Sequence, residues 1–145
     1  MHEYIERILK DIGSLGSAAV FGIIIVLVFF IDRQLAIELF AGGITIFVLT
    51  SFIRIIHFKL RPKPKNYKNW IEKIDAASFP STHAARSAFL LSILFPLLSE
   101  IYRILGIILV FTICYSRIVR KRHDFIDVLG GVIIGVAVGF MALRL

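Results

Sequence analysis

The stretch Ser116-Arg117-Ile118-Val119-Arg120-Lys121-Arg122-His123-Asp124-Phe125-Ile126-Asp127 sets a histidine, a carboxylate and a run of cationic side chains between two strongly apolar segments. If a helix begins near His123, Asp127 lies one turn further along the same face, close enough to accept a hydrogen bond from one imidazole nitrogen. The other nitrogen is then left as a nucleophile. With Arg117 alongside, such an imidazole suits attack on a phosphorus whose charged oxygens a guanidinium holds.

Outward from this stretch the chain is far more apolar than a soluble domain of its size. It has 145 residues, 58% of them hydrophobic, and a mean hydropathy of +0.86. We read it as one all-α, multi-pass integral membrane domain over residues 1–145, placed in the cell membrane. The net charge of +7 does not indicate nucleic acid, because the basic residues sit between apolar runs and not on an aromatic-interleaved surface. Anionic or phosphorylated lipid fits better. Cys114 is the single cysteine and lies in an apolar run, so no internal disulfide can form. The first residues carry Glu3, Glu6 and Asp11 against Arg7 and Lys10, unlike a basic secretory leader, and the N-terminus is expected to be retained.

In chain order, Ile5, Ile8, Leu9 and Ile12 predict a short interfacial helix. The uncharged run between Asp11 and Asp32 predicts a first span, since at ~1.5 Å per residue it can cross a hydrocarbon core of ~30 Å. A second helix is expected from Leu35 toward Leu60, stopped near Arg61 by Pro62. Residues 63 to 79 form a polar loop with Lys63, Lys65, Lys68, Lys73, Tyr67 and Trp70, the residue types of a membrane surface. A third helix from Ser81 to Ser99, a fourth from Ile101 to Arg117 and a fifth from His123 to Leu143 bring the count to about five transmembrane helices. On the last of these, Gly131, Gly135 and Gly139 continue the line of His123 and Asp127, a spacing that lets another helix backbone approach closely.

This topology gathers three clusters at one membrane face: Arg54 and Arg61, seven apart on the second helix; Pro80-Ser81-Thr82-His83; and Ser116-Arg117 with His123 and Asp127. Together they resemble the type-2 phosphatidic acid phosphatase superfamily, which also includes bacterial acid phosphatases and vanadium haloperoxidases. Its signature is a Lys, six residues and Arg-Pro; a Pro-Ser-Gly-His; and a Ser-Arg, five residues, His, three residues and Asp. The third element is matched in full. Arg54 replaces the lysine, keeping the charge on a planar, bidentate donor. Thr82 replaces the glycine, whose amide is expected to face a phosphate oxygen, so its side chain either crowds that approach or lends a hydroxyl.

The resemblance implies a fold and a division of labour. Arg54, Arg61 and Arg117 would hold phosphate oxygens with Ser81, Thr82 and the N-terminus of the third helix. His123 would attack phosphorus, Asp127 would fix its tautomer, and His83 would protonate the departing oxygen and then activate water. No cofactor is implied. A metal held by His83, His123 and Asp127 is disfavoured by the surrounding arginines. Arg86 is expected either to join the site or to snorkel to the surface, and His57 is assigned no role. The implied substrate is a lipid phosphate or diphosphate: polyprenyl diphosphate, phosphatidic acid or phosphatidylglycerol phosphate. Phosphoryl transfer to another acceptor and a non-catalytic lipid-binding role are the alternatives. Only Arg33, Arg103 and Arg144 fall on the opposite face, leaving fourteen of the seventeen Lys and Arg residues on the active one. The positive-inside tendency therefore favours a cytoplasmic site, whereas the resemblance points the other way, since many membrane members of that family work on the outer face.

Overall fold

The computed structural model describes residues 2–63 and 66–143, so Lys65 of the polar loop and Arg144 lie outside the described residues. All regular structure among the described residues is helical. The elements are α1 (His2–Ser14), α2 (Ala18–Phe29), α3 (Arg33–Ile56), α4 (Trp70–Ala76), α5 (Thr82–Leu94), a 3-10 turn (Phe95–Leu97), α6 (Glu100–Val119) and α7 (Phe125–Ala142). Polar side chains set most of the starts. Ser17 accepts from the amide of Val20, Asp32 from Leu35 and Asn69 from Glu72, each satisfying a donor that the first helical turn leaves open.

The expected interfacial helix and first span form a bent pair, α1 and α2, that meet at 48° across residues 15–17. Helices α3, α6 and α7 are each long and apolar enough to cross a membrane, and the bent pair makes a fourth candidate. The difference from five lies in α5. Its 13 residues reach roughly 20 Å at the helical rise, too short for the hydrocarbon core alone.

This short helix is nevertheless the centre of the bundle. Its most extensive pairing is with α7, and the glycine line on α7 is what allows it. A Cβ on Gly131 would collide with the carbonyl oxygen of Ser81, and one on Gly135 with that of Ala85. From the other side of α5, Phe89 inserts its ring over Gly42 of α3, where it is fully buried with Leu39, Ile46 and Ile93. Lipid tails are as apolar as these side chains, so close packing and not exclusion from water holds such helices together. The outward faces agree with that setting: Phe40, Phe47 and Phe52 of α3 and Ile104, Ile108 and Phe111 of α6 remain exposed.

Three local expectations are corrected. Helix α3 stops at Ile56, well before Pro62, so Arg61 does not share a helical face with Arg54. The polar loop contains a helix of its own, α4, and Lys73 on it lies over the rings of Phe58 and Trp70 at 5.3 and 4.8 Å. Helix α7 starts at Phe125, because Asp124 and not His123 is its cap. The Asp124 carboxylate accepts from the Asp127 amide at 3.0 Å, and the Asp127 carboxylate accepts from the Asp124 amide at 2.9 Å.

Candidate active site

The late start of α7 changes how His123 and Asp127 relate. His123 sits outside the helix, in the turn from α6, where Lys121 adopts a left-handed φ of 52°. That turn lets the amides of Arg122 and His123 both donate to the Arg117 carbonyl, at 3.0 and 3.3 Å. The imidazole is only 2% exposed. Its Nδ1 lies 2.8 Å from the carbonyl oxygen of Ser78 but 3.8 Å from Asp127 Oδ2, beyond hydrogen-bonding distance. A carbonyl can only accept, so Nδ1 carries the proton. The expected direct bond from the ring to Asp127 is thus replaced by a bond to Ser78. The physical reason is the capping box, which draws the Asp127 carboxylate back toward the Asp124 amide.

Asp127 is fully buried and well satisfied. It accepts from the Ser78 hydroxyl, from Lys59 Nζ at 2.8 Å and from the Asp124 amide. Its main-chain carbonyl accepts from the Ser81 amide at 2.9 Å, which binds the start of α5 to the start of α7. Lys59, Ser78 and Asp124 lie outside the residues picked from sequence. One signal was legible: Asp124 immediately ahead of an apolar helical run, with a carboxylate three residues on, reads as a cap. Lys59 and Ser78 carry no such mark.

Arg54 and Arg117 each lie within electrostatic reach of Arg61, and the observed hydrogen-bond partners of Arg54 and Arg61 are backbone. Arg54 donates from Nη2 to the Pro80 carbonyl at 2.9 Å and from Nη1 to that of Ile74 at 3.4 Å. Arg61 donates to the carbonyls of Asp75 and Ala77 at 2.5 and 3.5 Å. Both therefore brace the segment that leads into Pro80-Ser81-Thr82-His83. Among the described residues, Arg54 Nε and Arg117 Nε are buried without a hydrogen-bond partner. Such donors are costly to leave empty, and an anion would satisfy them. Ser81 caps α5 by accepting from the Ala84 amide at 3.5 Å, and Thr82 and His83 are the first two residues of that helix, both partly buried. The His83 ring lies within electrostatic reach of Arg61, Arg86, Arg117 and His123. Arg86 turns inward, donating from Nε to the Gly16 carbonyl at 3.2 Å.

Burial, and then the positive charges of Arg61 and Arg117, push the His123 imidazole down to about 3. It is neutral near pH 7, the state a nucleophile requires. Partial burial opposes the Lys59 ammonium, but its bonds to Asp124 and Asp127 outweigh this and raise it above the ordinary lysine value. Among the described residues no group of three or more His, Cys, Asp or Glu is placed to hold a metal ion. The residues present can hold an anion, present a neutral imidazole and supply a second histidine nearby.

The comparisons with known proteins bear on this arrangement. The sequence model described as the PAP2 superfamily matches residues 13–145. LpxE of Aquifex aeolicus shares the fold with a TM-score of 0.84 at 19% identity, over 100% of this chain and 88% of that one. The first transmembrane PAP2 type phosphatidylglycerolphosphate phosphatase of Bacillus subtilis matches with a TM-score of 0.73 at 20% identity, over 97% of this chain and 76% of that one. Among curated proteins none matches significantly.

Proposed function

The chain belongs to the PAP2 superfamily, and from that premise we propose that it is an integral membrane, metal-independent phosphatase that hydrolyses a lipid phosphate or diphosphate through a phosphohistidine. The observation that carries the reading is the neutral, buried His123, held by Ser78 among arginines with unsatisfied donors. Arg54, Arg61 and Arg117, with Ser81 and Thr82 at the head of α5, hold the phosphate oxygens. Nε2 of His123 attacks in line. A nitrogen–phosphorus bond forms as the bond from phosphorus to the lipid oxygen breaks. Burial and the charges of Arg117 and Arg86 hold the free His83 neutral, so it takes up a proton together with the anionic phosphate and gives that proton to the departing oxygen. His83 then takes a proton from water, whose oxygen displaces His123 and releases inorganic phosphate. Because charge spreads over the equatorial oxygens during transfer, the guanidinium cage contributes most in the transition state.

A lipid substrate is favoured by an apolar cavity of about 230 Å³ between α2, α5 and α6. Phe21, Leu90, Leu94 and Ile113 line it, and Gly16 and Arg86 lie at the end nearest His83, whose carbonyl and Cβ pack on Gly16. We place the active face in the cytoplasm on the distribution of Lys and Arg.

Phosphate release by the purified protein from polyprenyl diphosphate, phosphatidic acid and phosphatidylglycerol phosphate, with chelator present, tests the reading. At least one should be turned over. His123→Ala should abolish both turnover and the trapped phosphoenzyme, whereas His83→Ala should slow release by about 10²–10⁴-fold and accumulate the phosphoenzyme from a substrate with a good leaving group. Equal, mild losses in the two variants, or loss of activity on chelation alone, would contradict the assignment.

A further inference from the structure

Lys59 touches three parts of the site at once. Its ammonium donates to Asp124 Oδ2 at 2.5 Å and to Asp127 Oδ1 at 2.8 Å, and its main-chain carbonyl accepts the Ser78 amide at 2.7 Å. Ser78 closes the ring, since its hydroxyl donates to Asp127 and its carbonyl takes the Nδ1 proton of His123. The segment after α3, the segment before α5 and the start of α7 are therefore locked together around one imidazole. The Asp127 side chain has no exposure, whereas that of Lys59 keeps 30%. A carboxylate so deeply buried requires a paired charge, and Lys59 is the cation bonded to it.

We infer that Lys59 is a positioning residue for phosphoryl transfer, clamping Asp127 and Ser78 so that Ser78 fixes His123 with Nε2 directed at the phosphorus. The inference rests on the phosphatase reading above. Ser78 supplies the bond that sets the tautomer, and Asp127 acts on the ring at one remove, through the Ser78 hydroxyl. Removing the ammonium leaves the Asp127 charge unpaired beside Asp124, so that this carboxylate, the acceptor of the Ser78 hydroxyl, is free to shift. The arginines and the head of α5 do not depend on Lys59 for their hydrogen bonds, so phosphate binding should persist while the attack geometry degrades.

The test uses the full chain in detergent micelles, with ¹⁵N-labelled histidine and the lipid phosphate that the wild type hydrolyses in the release screen. The wild type should show His123 as a single Nδ1–H tautomer, assigned by loss of its signal in His123→Ala. Lys59→Met should mix the tautomers and lower kcat by up to about 100-fold, the cost of misplacing a reacting group by about 1 Å, with KM within about twofold. Lys59→Arg keeps the charge and the donors and should restore both readouts. If Lys59→Met does not fold, Ser78→Ala, which removes the hydroxyl but keeps the amide and carbonyl, should produce the same drop in kcat. A single Nδ1–H tautomer with wild-type kcat in the folded Lys59→Met variant overturns the inference, as does wild-type kcat in Ser78→Ala. An active His123→Ala would instead defeat the phosphatase reading, a result distinguishable from either.

Discussion

At the scale of the residue, His123 shows how burial and a single acceptor hold an imidazole neutral and in one tautomer. The free imidazole titrates near 6.5, but in the folded protein it is pushed to about 3. Between these values the unfolded chain binds a proton that the folded chain refuses, so acidification favours unfolding. The contribution of His123 is fully present above about pH 6.5 and is lost progressively toward pH 3, by up to about 1.4 kcal/mol per pH unit. Denaturant unfolding in detergent at several pH values should therefore show a shallower decline for His123→Ala than for the wild type. Parallel curves would mean that the imidazole is not held neutral. The signature residues were legible because chemistry fixes their type and order. Lys59 and Ser78 were not, because each acts through contacts that only folding creates.

At the scale of the element, the pairing of α5 with α7 sets the distance between the two histidine-bearing segments. Gly135 faces the carbonyl of Ala85 and the amide of Phe89, both backbone groups that cannot swing aside. Gly135→Leu should thus force the helices apart and destabilise the bundle by at least about 1–3 kcal/mol, the cost of overpacking. Thermal unfolding in detergent should show a lower midpoint, and an unchanged midpoint would mean that α7 is not seated on α5 as described. The glycine spacing was readable because a helix repeats on one face every three to four residues. The helix ends were less so. Pro62 marked a stop that α3 does not reach, since residues 57–61 are spent bringing Lys59 and Arg61 to the site. His123 was read into α7, although Asp124 is the better cap.

At the scale of the whole molecule, an apolar outer surface surrounds a polar centre at one end of the bundle. If that end faces the cytoplasm, a cysteine placed at Lys68 should resist an impermeant thiol reagent in intact cells, while one at Arg33 should react. The buried Cys114 supplies little background. The reverse pattern would put the site outside. The sequence alone determined that this chain lives in a membrane and marked His123 as a candidate site residue, because hydropathy and motif spacing are local properties written in residue order. The tertiary structure decided which group holds that histidine. Ser78 lies 45 positions before His123 and Lys59 lies 68 before Asp127, and a hydrogen bond across such separations exists only once α3, α5 and α7 have packed.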